Sequence, residues 1–335
     1  MIDFRYHLVS LVSVFLALAV GIVLGAGPLK ESIGTELTKS VDVLRQQKKD
    51  LNDKLDTANA AVSHRDDFLT GLAPTVIDGQ LTGRSVVLVT LPGVDDSKVS
   101  DALVDAIKEA GGTVTGQVSV GAAWVDPAQE PTRAKVITDL TPKLPIGAIP
   151  TGGDTDEKLP RLLAEVLVGN GTTTTGEDRA TSTAVLKELR SQNLIGIKGS
   201  LTGLATAALV LAPGNPDSSD QNAVPTASGS PQNAYLTLAT ALDAIGGGAV
   251  VSGPASAAAG SGLLAALRDD DATKEAVSTV DTGTTEMGVI TAVLALREQL
   301  EGGHGAYGFV GGDTKQTPTL AAGSVVVPTA TATKK

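Results

Sequence analysis

At 335 residues the chain has material for one large domain or two small ones. It contains no cysteine, which removes disulfides, thiolate metal sites and cysteine nucleophiles at once. Aromatic residues make up 2% of the chain and the formal net charge is -11. Base stacking therefore has little to work with, phosphate backbones are repelled, nucleic acid is disfavoured as a partner, and any membrane contact has to be hydrophobic.

The first predicted element is a hydrophobic helix. From Leu8 to Gly27 no residue is charged, and at about 1.5 Å per residue a helix of that length matches the roughly 30 Å hydrocarbon core of a bilayer. A signal peptide has a shorter apolar run, about 7 to 15 residues, before an A-x-A-like site; the GAGPLK that follows here resembles one only loosely. Residues 1–28 read as a short cytoplasmic head and an uncleaved anchor, with a cleaved signal as the alternative and a buried core helix behind both. With Arg5 offset by Asp3 and so short a head, the expected topology keeps the N-terminus inside and the bulk of the chain extracytoplasmic. Ala17, Gly21 and Gly25, at spacings of four, form a small-xxx-small ladder that lets two membrane helices approach closely; glycines that merely face lipid would look the same.

Residues 29–71 change character, being rich in charge and free of Pro between Leu29 and Leu72. Leu37, Val41, Leu44, Lys48, Leu51, Leu55, Ala58 and Val62 alternate spacings of four and three, and all but Lys48 are apolar. That narrow seam predicts a coiled-coil stalk, with Lys48 setting register or strand number. A single amphipathic helix docked on its own domain is the alternative. Joined to the glycine ladder, the seam predicts a parallel homodimer.

A Gly/Pro-marked connector spans 72–84, and an α/β domain is expected over 85–311. SVVLVTLPG reads as a buried strand, DDSKVSDALVDAIKEAGG as a helix with Val99, Leu103, Ala106, Ile107 and Ala110 on one face, and TVTGQVSV as a second strand. The order recurs in AALVLAPG, NAYLTLATALDAIGGG, GAVVSGP and SGLLAALRDDD, the first helix carrying Tyr235, Leu238, Leu242 and Ile245 in its stripe. Such alternation implies crossover connections and a mostly parallel, Rossmann-like sheet with helices on both faces. Three helical segments over about 125–200 read as an insertion, the lone Trp124 as a packing residue, 215–230 as a long polar loop, and 312–335 as a disordered tail.

Three strands end in Gly/Pro tips, at Leu91-Pro92-Gly93, Ala212-Pro213-Gly214 and Ser252-Gly253-Pro254. In an open parallel sheet they would line the rim where ligands bind. No G-x-G-x-x-G follows the first strand, no G-x-x-x-x-G-K-[ST] appears, and tight turns explain the tips more simply. Catalytic candidates are few. His7 lies at the membrane edge and His64 in the stalk, leaving His304 in a glycine-rich turn, and the run Asp269, Asp270, Asp271 lacks interleaved cation-site spacing. The expectation is a protein that is not an enzyme and has no resident cofactor or metal.

Both ends of the chain carry a resemblance. MIDFRYHLVSLVSVFLALAVGIVLGAGPL at the start and VSTVDTGTTEMGVITAVLALREQLEGGHGAYG near the end closely resemble the actinobacterial family named for mycobacterial copper transport protein B (MctB), which includes SteB-type envelope proteins. What carries over is the anchor, Ser278, Thr279, Val280 and Asp281, the helix through Leu294, Leu296 and Leu300, and the Gly302, Gly303, Tyr307, Gly308 turn. The resemblance implies copper homeostasis and efflux across the envelope, with an outer-membrane location among the family's descriptions. The SteB-type alternative implies a scaffold that partners a SteA-like protein and controls cell-wall hydrolysis during division. No metal ligands come with the motif: copper(I) prefers thiolate, thioether and imidazole, and the chain offers no Cys, Met1 and Met287 only, and three scattered His.

Overall fold

The structure, a computed structural model, describes residues 4–26, 28–94, 97–145, 147–169, 176–215, 230–311, 314, 315, 317 and 318. The chain divides into two units, Met1–Arg65 and Asp66–Lys335. The first is helical. α1 (Phe4–Ala26) contains Ala17, Gly21 and Gly25, and over Phe4–Val23 it is, among the described residues, the one helix long and apolar enough to cross a membrane. α2 (Pro28–Ile77) carries the whole predicted seam. It runs through Pro74 to Ile77, into the stretch read from sequence as a connector. Apolar burial holds this last segment: Leu69, Ala73 and Val76 pack against, and Ile77 lies within, one of the two cores of the second unit.

The second unit is built on a seven-stranded sheet in the order β3-β2-β1-β4-β5-β6-β7. Its strands are β1 (Ser85–Thr90), β2 (Thr113–Val120), β3 (Ile195–Lys198), β4 (Ala207–Leu211), β5 (Ala249–Ser252), β6 (Ser278–Val280) and β7 (Ala306–Tyr307). All pairings are parallel except β2 with β3. Alternate residues of a strand feed opposite faces. In β1, Val87 and Val89 enter one core while Val86 and Leu88 enter the other. The strands are therefore continuous apolar runs, as a sheet covered on both sides requires.

Helix α3 (Ser97–Glu109) and helix α10 (Glu286–Leu300) cover the face that receives Ile77. The opposite face is covered by α4 (Glu130–Leu140), α5 (Thr155–Leu167), α6 (Gly176–Ser191), α7 (Ser230–Ile245) and α8 (Leu263–Asp269), which the one-turn helix α9 (Asp271–Lys274) follows. Trp124 is 1% exposed in that core, a packing residue as the sequence suggests. The inserted segment is not purely helical. It ends in β3, an antiparallel edge strand whose Ile195-Gly196-Ile197-Lys198 is too short to announce itself. Of the predicted tail, Lys315 pairs with Tyr307 through a backbone bridge, while 319–335 and 216–229 lie outside the described residues.

Candidate functional site

Three features of the structure hold the residues that the sequence singles out. The first is the surface of α1 and α2. Leu37, Leu44, Leu51, Leu55 and Val62 are 64, 63, 68, 58 and 43% exposed, with Lys48 and Ala58 also exposed and Val41 half-buried. Around them Arg45 and Asp42 pair at 3.3 Å, and Gln46 donates to Asp50 at 2.7 Å. An apolar stripe at spacings of four and three, flanked by polar side chains that pair with one another, thus lies exposed on α2. In α1, Gly21 has open space where a Cβ would stand.

The second feature is the C-terminal motif, which becomes one buried polar network. Asp281 follows β6 and is 0% exposed. Its Oδ1 accepts from the Phe309 N–H at 2.9 Å, and its Oδ2 from the Val310 N–H at 3.1 Å and from Arg268 Nη1 at 3.0 Å. The same guanidinium donates to the Val310 carbonyl at 2.8 Å, the Tyr307 carbonyl at 3.2 Å and Thr279 Oγ1 at 2.9 Å. Ser278 Oγ accepts from Gln299 Nε2 at 3.0 Å and from the Gly305 N–H at 3.2 Å, and the Tyr307 hydroxyl donates to Glu298. Burial, then that hydrogen bond, pushes the Tyr307 phenol up.

The glycines complete the network. Gly302 (φ +86°) and Gly303 donate to the Gln299 and Glu298 carbonyls, both at 2.9 Å, and end α10 in a Schellman turn. Gly308 leaves no space for a side chain beside Asp281. The motif therefore fastens the segment 305–310 to the end of the sheet, a structural task. Sequence reasoning found half of it. Arg268, Glu298 and Gln299 were missed because nothing local marks them as partners; the one available signal was an Arg closing a helix otherwise apolar on its inner face.

The third feature is the rim. The tips of β1, β4 and β5 come together, as the strand order 2-1-4-5 demands, and Gly93, Pro213, Gly214, Ser252, Gly253 and Pro254 line one cavity of about 100 Å³. A larger hollow of about 570 Å³ lies where Arg268, Lys274, Glu275, Val310 and Thr314 meet. Its walls carry both signs of charge, and its half-buried Arg268 guanidinium is directed into the network described above.

The remaining candidates do not converge. His304 is exposed after α10, close enough to Asp243 on α7 for its charge to act on that carboxyl. Met287 is half-buried in the first turn of α10, and His7 and His64 are exposed on α1 and α2. Met1 lies outside the described residues. Asp270 caps a short helical turn through the Ala272 and Thr273 N–H groups at 3.1 and 2.9 Å, and Asp271 pairs with Lys274, so the acidic run is a solvated helix end. Among the described residues no three His, Asp or Glu cluster as a metal site.

Comparison with known proteins covers the chain almost end to end. Residues 1–318 match the family described as "Copper transport outer membrane protein, MctB". A protein of Mycobacterium tuberculosis (strain ATCC 25618 / H37Rv) named "Copper transporter MctB" is 30% identical over 315 residues, 92% of this chain and 96% of its own length. One of Mycobacterium leprae (strain TN) with the same name is 32% identical over 333 residues, covering 95% of this chain and 99% of its own.

Proposed function

The chain belongs to the MctB copper transport family, and from that premise we propose that it serves copper homeostasis at the cell envelope as a single-pass, coiled-coil homodimer, not as an enzyme and not as a carrier that ligates copper itself. The bulk of the chain stands outside the cytoplasmic membrane in this reading. The observation that carries it is the exposed stripe from Leu37 to Val62. Counting from the spacings, Val41, Lys48, Leu55 and Val62 fall at heptad position a, and Leu37, Leu44, Leu51 and Ala58 at d. Val at a with Leu at d favours two parallel strands, and one polar a residue fixes their register. Arg65 takes the next d position, while Leu69 and Val76, the a positions beyond it, pack on the chain's own domain. Pairing between copies thus ends where self-docking begins.

Support for the second half comes from donor chemistry. With no Cys, two Met and three His in 335 residues, the chain lacks the soft ligands from which copper(I) sites are made. Its contribution to copper handling is to tether and present partners.

Complementation of a copper-sensitive deletion strain tests both halves. The full-length variant His64→Ala, Met287→Leu, His304→Ala is expected to restore copper tolerance, and Leu44→Asp with Leu51→Asp to fail while still being made and membrane-bound. Loss of tolerance in the ligand variant would overturn the non-ligating reading. A second reading, a SteB-like scaffold with a SteA-like or cell-wall enzyme partner, rests on the same stripe. It gains if the seam variant changes septation and leaves cell copper unaltered.

A further inference from the structure

Among the described residues of the second unit three large hydrophobic side chains are exposed, and two of them stand four apart on α2. They are Phe68 and Leu72, at 68 and 39% exposure; Phe309 is the third. Thr75, three residues on, is exposed as well, so the alternation of four and three that marks the seam recurs on a second stripe. Between these positions Leu69, Ala73 and Val76 pack against the core of the sheet domain, and Ile77 lies within it. At about 100° per residue, Phe68 and Leu72 sit roughly a quarter-turn round the helix from that docked face. Gly71, beside them, has open space where a Cβ would stand. The stalk seam ends because its a positions turn inward at Leu69, and that ending holds for the a positions alone: Leu72 at d and Phe68 at the neighbouring g stay outside.

The size of this patch selects its occupant. A phenylalanine covers about 150–250 Å² when buried, so with a leucine the patch offers a few hundred Å² at most. Stable interfaces between separate proteins bury about 1,200–2,000 Å² in all. An independent protein would not be held here from solution. A second copy already paired through α2 differs, because its own Phe68 and Leu72 arrive at high effective concentration and little further freedom is lost on contact. Two-fold symmetry then sets each position against its counterpart. Phe68, Leu72 and Thr75 are all uncharged, so the stripe can meet its own copy without like-charge repulsion.

We infer that Phe68 and Leu72 pack against the same residues of a second copy, so that the dimer contact rolls from the a/d seam of the stalk onto the g/d flank of α2 beside the sheet domain. The shift leaves Leu69, Ala73 and Val76 of each copy docked on their own domain. This contact rests on the coiled-coil reading of the stalk, whereas the stalk pairing does not require it.

Crosslinking of the full chain in membranes separates the two contacts. The chain has no native cysteine, so Leu51→Cys reports the seam, Leu72→Cys the second stripe, and Thr70→Cys, exposed on the far side of α2, chance collision. Because a disulfide needs Cα atoms within about 7 Å, Leu72→Cys is expected to crosslink roughly tenfold faster than Thr70→Cys under mild oxidation. Adding Phe68→Asp should slow the Leu72→Cys reaction about tenfold and leave that of Leu51→Cys unchanged. Phe68 is exposed in the single chain, so the variant should keep its melting temperature; if it does not, Phe68→Ser takes its place. Fast crosslinking at Leu51→Cys with Leu72→Cys no faster than Thr70→Cys would overturn this contact and leave the seam standing. Slow crosslinking at both Leu51→Cys and Leu72→Cys would remove the stalk pairing and this contact with it. Leu72→Cys joined to a different protein would give the patch to that partner and overturn the assignment.

Discussion

The Asp281 carboxylate fills the space in which a side chain on Gly308 would begin, so each residue dictates the other. Gly308 has φ +133°, a conformation open mainly to glycine, and it brings the Phe309 and Val310 N–H groups onto the two carboxylate oxygens. Removing the carboxylate takes the acceptor from both amides and the charged partner from Arg268. Asp281→Ala is therefore expected to cost about 3–5 kcal/mol in chemical denaturation, the scale of breaking one side of a buried ion pair. Hydrogen exchange at Phe309 and Val310 should rise with it. Gly308→Ala, which meets both the carboxylate and an unfavourable φ, should produce the same exchange pattern; protection retained at both amides would contradict the role assigned to Asp281.

Tyr307 gives a prediction with a definite sign. Its phenol is raised by burial and by the bond to Glu298. In the unfolded chain a Tyr ionises near pH 10, so above that value the native state holds a proton that the unfolded state has lost. Stability is then fully present below about pH 10 and falls as pH climbs further. Tyr307→Phe should flatten that alkaline loss, and at neutral pH should be less stable by about 1.5–3 kcal/mol, the usual worth of a hydrogen bond to a charged group. Denaturation midpoints measured from pH 8 upward in both proteins check the two parts separately.

What could be read before the fold was known depended on how local the signal was. β1, α3 and β2 announce themselves through an unbroken Val/Leu run, a stripe of Val99, Leu103 and Ile107, and bounding glycines. The rim was legible too, because strand tips in Gly/Pro need only a parallel sheet to meet. β3 was not, since four residues pairing antiparallel at an edge carry no period of their own. Nor was the network around Asp281, whose partners stand 13, 28 and 29 residues away in the chain and are chosen by topology. The C-terminal end of α2 departs from its sequence pattern for a related reason. Pro74 reads as a stop, yet the helix continues to Ile77 because that turn is buried against the sheet domain.

Asp243 links the histidine region to pH. Burial raises its carboxyl, while the Ala249 N–H, donating at 3.2 Å, and the charge of His304 act to lower it. Because the folded group holds its proton more tightly than the unfolded one, the native state binds more protons near the group's titration range. Its stabilising effect is present below the unfolded carboxylate value, near pH 3.9, and is lost as pH rises through the folded value. Asp243→Asn, which keeps an acceptor for Ala249, should remove this component and make stability less steep in mildly acidic solution. His304→Ala should do the reverse, raising the Asp243 carboxyl further. Melting temperatures from pH 4 to pH 7 for the three proteins decide; identical slopes would mean that the pair is uncoupled.

Lys48 tests the pairing proposed for α2 more sharply than any leucine does. A leucine removed from a seam weakens almost any association, whereas a lysine at position a weakens a two-stranded parallel coil while excluding competing registers and strand numbers. Lys48→Leu should therefore stabilise assembly, by about 2 kcal/mol per chain on the scale of burying one leucine, and should broaden the distribution of species. The absence of native cysteine permits a clean readout. In the full chain carrying Leu51→Cys, a d-position thiol should form a symmetric disulfide with its counterpart in membranes, while Gln47→Cys, beside the seam, and Asp53→Cys, opposite it, should crosslink progressively less. Adding Lys48→Leu should extend crosslinking to those flanking positions and bring species larger than a dimer into view. If Leu51→Cys stays monomeric under oxidation, or if Lys48→Leu lowers the stability of the assembly, α2 does not pair through this seam, and its exposed stripe belongs to a different partner.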